Sequence, residues 1–286
     1  AYTALTDEQK AEVTGAEIFE SLFDVFNDMV NTLSDHQHPV CGGDGNCTDP
    51  DHTDGHGNVE WTAWENTNAM PTDAGSYYLA GDVSISETWQ VPDGNTNLCL
   101  NGYSITFTNG LEKWDMSGMD PDDVSRSVIK VPAESTLTIT DCQDNTGAIS
   151  GGTGTFMSEL EHYNSGSKGY CGGLFVEGTL ELYGGSIKGN HCPMYKDASD
   201  DHGGGGGVFL NGGAFDMFGG VITENSAMES GNGVFCNGGK FNMYGGSITE
   251  NGREIDDWRL TYMGSTGGVG PVSYTHLRAH ETELHL

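Results

Sequence analysis

GVFLNGGAFDMFGGVITEN, residues 207–225, decides how this chain folds, because GLFVEGTLELYGGSIKGN at 173–190 and GVFCNGGKFNMYGGSITEN at 233–251 repeat it almost position for position. In register, the apolar residues fall into columns: Phe175, Phe209 and Phe235; Leu180, Phe215 and Phe241; Leu182, Met217 and Met243; Ile187, Ile222 and Ile248. A unit this short cannot bury its own apolar side, so each copy has to stack on the next. Within a copy, apolar and polar residues alternate, as in Phe241-Asn242-Met243 and Thr179-Leu180-Glu181-Leu182. That is the period of a strand with one buried face. Paired glycines such as Gly245-Gly246 follow, and they permit the positive backbone angles of a sharp corner. Each copy therefore reads as strand, bend, strand, bend, strand. The aligned Asn190, Asn225 and Asn251 suit a left-handed corner residue whose amides either ladder from copy to copy or simply cap a turn.

Fainter passes precede the clear ones. Residues 136–139 with 147–150, 97–102 with 104–106, and 77–79 with 83–85 carry the same strand-and-corner pattern. The expected fold class is all-β, a parallel β-helix over residues 61–271, preceded by one amphipathic α-helix over 1–35. For that helix, Thr6-Asp7-Glu8 supplies an N-cap with acids in the first turn, and Phe19, Phe23, Phe26 and Val30 form an apolar stripe.

Residues 36–60 are of another kind. His36, His38, Cys41, Cys47, His52 and His56 fall in a Gly- and Asp-rich segment with no apolar core of its own. Thiolate and imidazole are the donors Zn²⁺ prefers, so Cys41, Cys47, His38 and His52 could close a structural zinc site, with His36 and His56 as substitutes. A Cys41–Cys47 disulfide and a flexible linker fit the same residues. The remaining cysteines sit in or beside strands, where a free thiol behaves as a small apolar side chain.

The chain holds 42 acids against 11 bases, a formal net charge of −31, with 44 glycines among 286 residues. Such a charge repels nucleic acid and anionic membrane surfaces. No stretch approaches the run of about 18 apolar residues that spans a bilayer. Acidic loops at 115–123 and 197–201 offer carboxylates of the kind Ca²⁺ takes, without an EF-hand pattern. Tyr183, Phe218 and Tyr244 form an aromatic column beside the glycine corners, suited either to stacking on sugar faces or to packing under the corner.

The coil pattern GGKFNMYGGSITEN at 238–251, the strand LCLNGYSIT at 98–106 and Trp61-Thr62-Ala63-Trp64 after the His/Cys segment resemble the pectin-lyase-like superfamily, which implies a right-handed parallel β-helix. More narrowly, over residues 36–270, they resemble large secreted surface proteins of anaerobic gut bacteria. That resemblance implies an extracellular, cell-surface location and a non-catalytic stalk or adhesin with a glycan or host-surface ligand. The superfamily also contains polysaccharide lyases and glycoside hydrolases, which makes an enzyme the alternative. Lyases of anionic polyuronates need cationic side chains to take a proton and hold carboxylates. Lys188 and Lys240 are the cations within the repeated coils, and they occupy different columns. Asp200-Asp201 and Gly55-His56-Gly57 resemble pieces of a polygalacturonase site, without its Arg-x-Lys. Residues 272–286, beginning Val-Ser-Tyr-Thr-His-Leu, resemble the translation of a transposon-derived sequencing adapter and are set aside from fold reasoning. The expectation is that the native protein continues beyond Pro271 and that residues are missing at both ends.

Overall fold

The computed structural model describes residues 36–41, 58–109, 126–157, 168–170, 172–192, 204–227 and 231–252. The chain divides into two units, 1–37 and 38–286. In the first, His36 and Gln37 are described; the helix expected over 1–35 lies outside the described residues.

Among the described residues every regular element is a strand. Three parallel sheets account for most of them, and the chain visits the three in turn. The largest runs Thr62–Trp64, Ser76–Leu79, Gly94–Cys99, Ser135–Thr140, Thr179–Leu182, Ala214–Met217 and Lys240–Met243, each hydrogen-bonded to the next. A second sheet runs Val83–Ile85, Ile105–Phe107, Ala148–Ser150, Ser186–Lys188, Val221–Thr223 and Ser247–Thr249. The third runs Trp89–Gln90, Ile129–Val131, Leu174–Val176, Val208–Asn211 and Val234–Asn237. Within these three sheets the strands keep chain order, so from Ser76 onward each successive pass lays its strands beside those of the pass before it. This is compatible with the parallel β-helix expected from the repeat. The early passes at 77–85, 97–106 and 136–150 are strands as read from sequence, whereas Trp89–Gln90 and Ile129–Val131 on the third sheet carry no repeat signature.

The columns are real neighbours. Leu180 pairs with Phe215 and Phe215 with Phe241, while Ile187 pairs with Ile222 and Ile222 with Ile248. Upstream the same positions are Leu137 and Ile149, so irregular loops between coils do not disturb the register. Leu137, Leu180, Phe215, Ile187 and Ile222 are fully buried in one continuous core. The Phe175, Phe209 and Phe235 column is also paired in register but belongs to a separate small cluster. Its rings stack at 5.7 and 5.3 Å between centroids. In the preceding coil the paired position is Lys130, whose ammonium lies 5.6 Å from the Phe175 centroid and 3.3 Å from the Glu177 carboxylate.

The asparagines form a ladder. Asn190 Nδ2 donates to Asn225 Oδ1 and Asn225 Nδ2 to Asn251 Oδ1, each at 3.0 Å. The same oxygens accept the backbone N–H of Asn190 and Asn225 at 3.1 Å, and Asn225 Nδ2 also donates to the Ile187 carbonyl at 2.8 Å. One side of the expectation needs correcting: the left-handed residue is the one before the asparagine, Gly189, Glu224 and Glu250, with φ of 65°, 55° and 53°. The bend is thus made one position earlier, which turns the amide inward to meet the next coil. Gly207 shows why glycine opens each copy: a Cβ there would sit 2.6 Å from the Gly233 carbonyl oxygen and 3.0 Å from Asn225 Nδ2.

Candidate functional site

Two features share one corner of the second unit. The first is a thiol–imidazole cluster. Cys99 ends its strand fully buried, and its neighbour on the next coil, Thr140, precedes Cys142 by two residues. The strand register therefore carries Cys142 back over Cys99, with the sulfurs 3.6 Å apart. His38 comes from far upstream in the chain, and its Nε2 lies 3.3 Å from Cys99 Sγ. The donor atoms of His38, Cys99 and Cys142 all lie within 4.8 Å of one another.

The imidazole is held from several sides. His38 Nδ1 lies 2.7 Å from the Pro39 carbonyl oxygen, which can only accept, so Nδ1 carries the hydrogen and in the neutral ring Nε2 carries the lone pair. Trp61 donates from Nε1 to the His38 carbonyl at 3.0 Å, and its ring lies 4.7 Å from the imidazole centroid to centroid. Burial works against a charge on His38, but its hydrogen bonds with Cys142 and the Pro39 carbonyl outweigh that and raise its pKa above the ordinary value. The hydrogen bond with Cys142, reinforced by burial, pushes the Cys99 thiol far above the ordinary range. Around Cys142, the Asn101 side-chain oxygen lies 3.3 Å from the sulfur and the Gln143 amide donates to it at 3.8 Å. Asn101 is itself fixed, with φ of 51° and its amide donating to the Leu79 carbonyl at 3.0 Å.

The second feature is an open cleft of about 560 Å³, whose lining includes Cys41, Cys142, Tyr183 and Phe218. Tyr183 stacks on Phe218 at 4.5 Å and Phe218 on Tyr244 at 5.0 Å, with planes 15° and 7° apart. All three are half-buried and none belongs to the main core. Both faces of Phe218 are therefore covered by neighbouring rings. Asp141, which also lines the cleft, is buried, and its carboxylate accepts from the backbone N–H groups of Gly102, Gln143 and Gly147 at 2.8, 3.1 and 2.7 Å. Asn145 likewise accepts from Gly185 N–H at 2.6 Å. Among the described residues, those lining the cleft include no Lys, Arg or His.

Of the zinc ligands expected from sequence, His38 lies in the cluster and Cys41 lines the cleft that Cys142 also lines, while Cys47, His52 and His56 lie outside the described residues. His36 is described and precedes His38 by two positions in the chain. From sequence, Cys99 and Cys142 fit small apolar side chains in or beside strands, and no spacing rule links them to His38. The acidic loops at 115–123 and 197–201, with Asp200 and Asp201, also fall outside the described residues. No family model, no curated protein and no solved structure matches this chain.

Proposed function

We propose that the chain is a non-catalytic parallel β-helix of the pectin-lyase-like kind, part of an extracellular surface protein in which it serves as a stalk or adhesive scaffold. The observation that carries this is how the polar and aromatic groups of the corner cleft are used. Asp141 spends its oxygens on three backbone donors, and the middle ring of the aromatic column has neighbours on both faces. These groups lock coil to coil; a hydrolase or lyase would need a carboxylate and a base turned toward a substrate. The −31 charge supports display in an aqueous exterior and disfavours anionic partners, so a ligand at this surface is a neutral glycan or another cell-surface molecule.

Incubating the purified chain with polygalacturonate and with neutral plant and host polysaccharides tests the proposal. The expected result is no new reducing end and no unsaturated uronate above a buffer control. Release of either product by homogeneous protein overturns the non-catalytic reading.

A further inference from the structure

We infer that His38, Cys99 and Cys142 are ligands of one structural zinc ion, a donor set different from the local His/Cys segment expected from sequence. Around a tetrahedral zinc, two sulfurs stand about 3.8 Å apart, and a sulfur and an imidazole nitrogen about 3.6 Å apart. The separations of 3.6 Å for Cys99 and Cys142 and 3.3 Å for His38 and Cys99 are within a few tenths of those edges.

The surroundings suit a ligand set as well. The Nδ1 hydrogen bond to the Pro39 carbonyl fixes the tautomer that presents Nε2, the outer-sphere arrangement typical of zinc-bound histidine. The Gln143 amide donates toward the Cys142 sulfur, which stabilises a thiolate. Binding requires both thiols to lose their protons, which pass to solvent, and the ion replaces them as the positive partner. The fourth position falls to Cys41, which lines the cleft beside Cys142, or to water.

The consequence is a staple. The ion ties the segment ahead of the coils to two successive coils, joining residues that stand 61 and 43 positions apart. This inference is independent of the scaffold reading, since a stalk and an enzyme could both carry it.

Zinc content of the whole chain, purified under reducing conditions, provides the test, together with the absorption of the cobalt-substituted protein. The expected result is about one zinc per chain and the intense d–d and thiolate-to-cobalt bands of a tetrahedral site. Cys142→Ser and His38→Ala, both at half-buried positions and checked for β-structure by circular dichroism, should lose the metal and the bands. Cys47→Ser should keep them. Chelation should lower the melting temperature of the parent chain and not that of Cys142→Ser. Metal retained by Cys142→Ser, or lost in Cys47→Ser, overturns this donor set. A protein that binds neither zinc nor cobalt, or in which Cys99 and Cys142 are found as a disulfide after reduction and handling without oxygen, overturns it too.

Discussion

Asn225 ties coil to coil through hydrogen bonds, because its amide serves neighbouring coils on both sides at once. Its oxygen accepts from the backbone and side chain of Asn190, and its nitrogen donates to Asn251 and to the Ile187 carbonyl. The residue is fully buried, so no water replaces what a substitution removes. Asn225→Ala should therefore destabilise by about 3 kcal/mol, more than the loss of one exposed hydrogen bond, because several groups are left buried without partners. Urea denaturation followed by circular dichroism measures this, and a cost under about 1 kcal/mol would show that the ladder is incidental. The ladder was legible as a column of identical residues. Its backbone was not, since Asn is the usual left-handed residue, and here Glu224 takes that conformation instead.

At the scale of the strand, position within the stack sets the cost of a substitution. Ile222 is fully buried between Ile187 and Ile248, whereas Ile248 is half-buried on the last described strand of its sheet. A carboxylate at the first site would sit in a dry column with no partner, and at the second it can turn to water. Ile222→Asp should cost roughly 4 kcal/mol or more, and Ile248→Asp markedly less, when melting midpoints and denaturant curves of the two variants are compared. Equal costs would mean the column is not a buried stack at that level. The clear copies made these pairings visible, because every coil must offer an apolar residue at the same point. The third-sheet strands Trp89–Gln90 and Ile129–Val131 were not visible. They are short and bounded by irregular loops, so the alternation is too brief to declare itself.

For the molecule as a whole, charge opposes compaction. With −31 spread over 286 residues, repulsion between acids is largest at low ionic strength, where the Debye length is long. Raising sodium chloride from a few millimolar to about 0.15 M should raise the melting temperature by several degrees, read by differential scanning calorimetry. A fall would point to specific ion pairs outweighing the repulsion.

The sequence by itself determined the all-β, stacked character of the described coils and the register of the later ones. A repeat writes the same physical demand, apolar inside and glycine at the corner, into every copy. It also drew attention to His38 as a candidate metal ligand, through the company of cysteines and histidines around it. Only the tertiary structure decided which thiols stand beside that imidazole. Cys99 and Cys142 meet because Cys99 and Thr140 are paired neighbours on adjacent coils, and His38 reaches them because Trp61 holds it there. Contacts between residues so far apart in the chain leave no local period, since they arise from strand register and packing rather than from any spacing along the sequence.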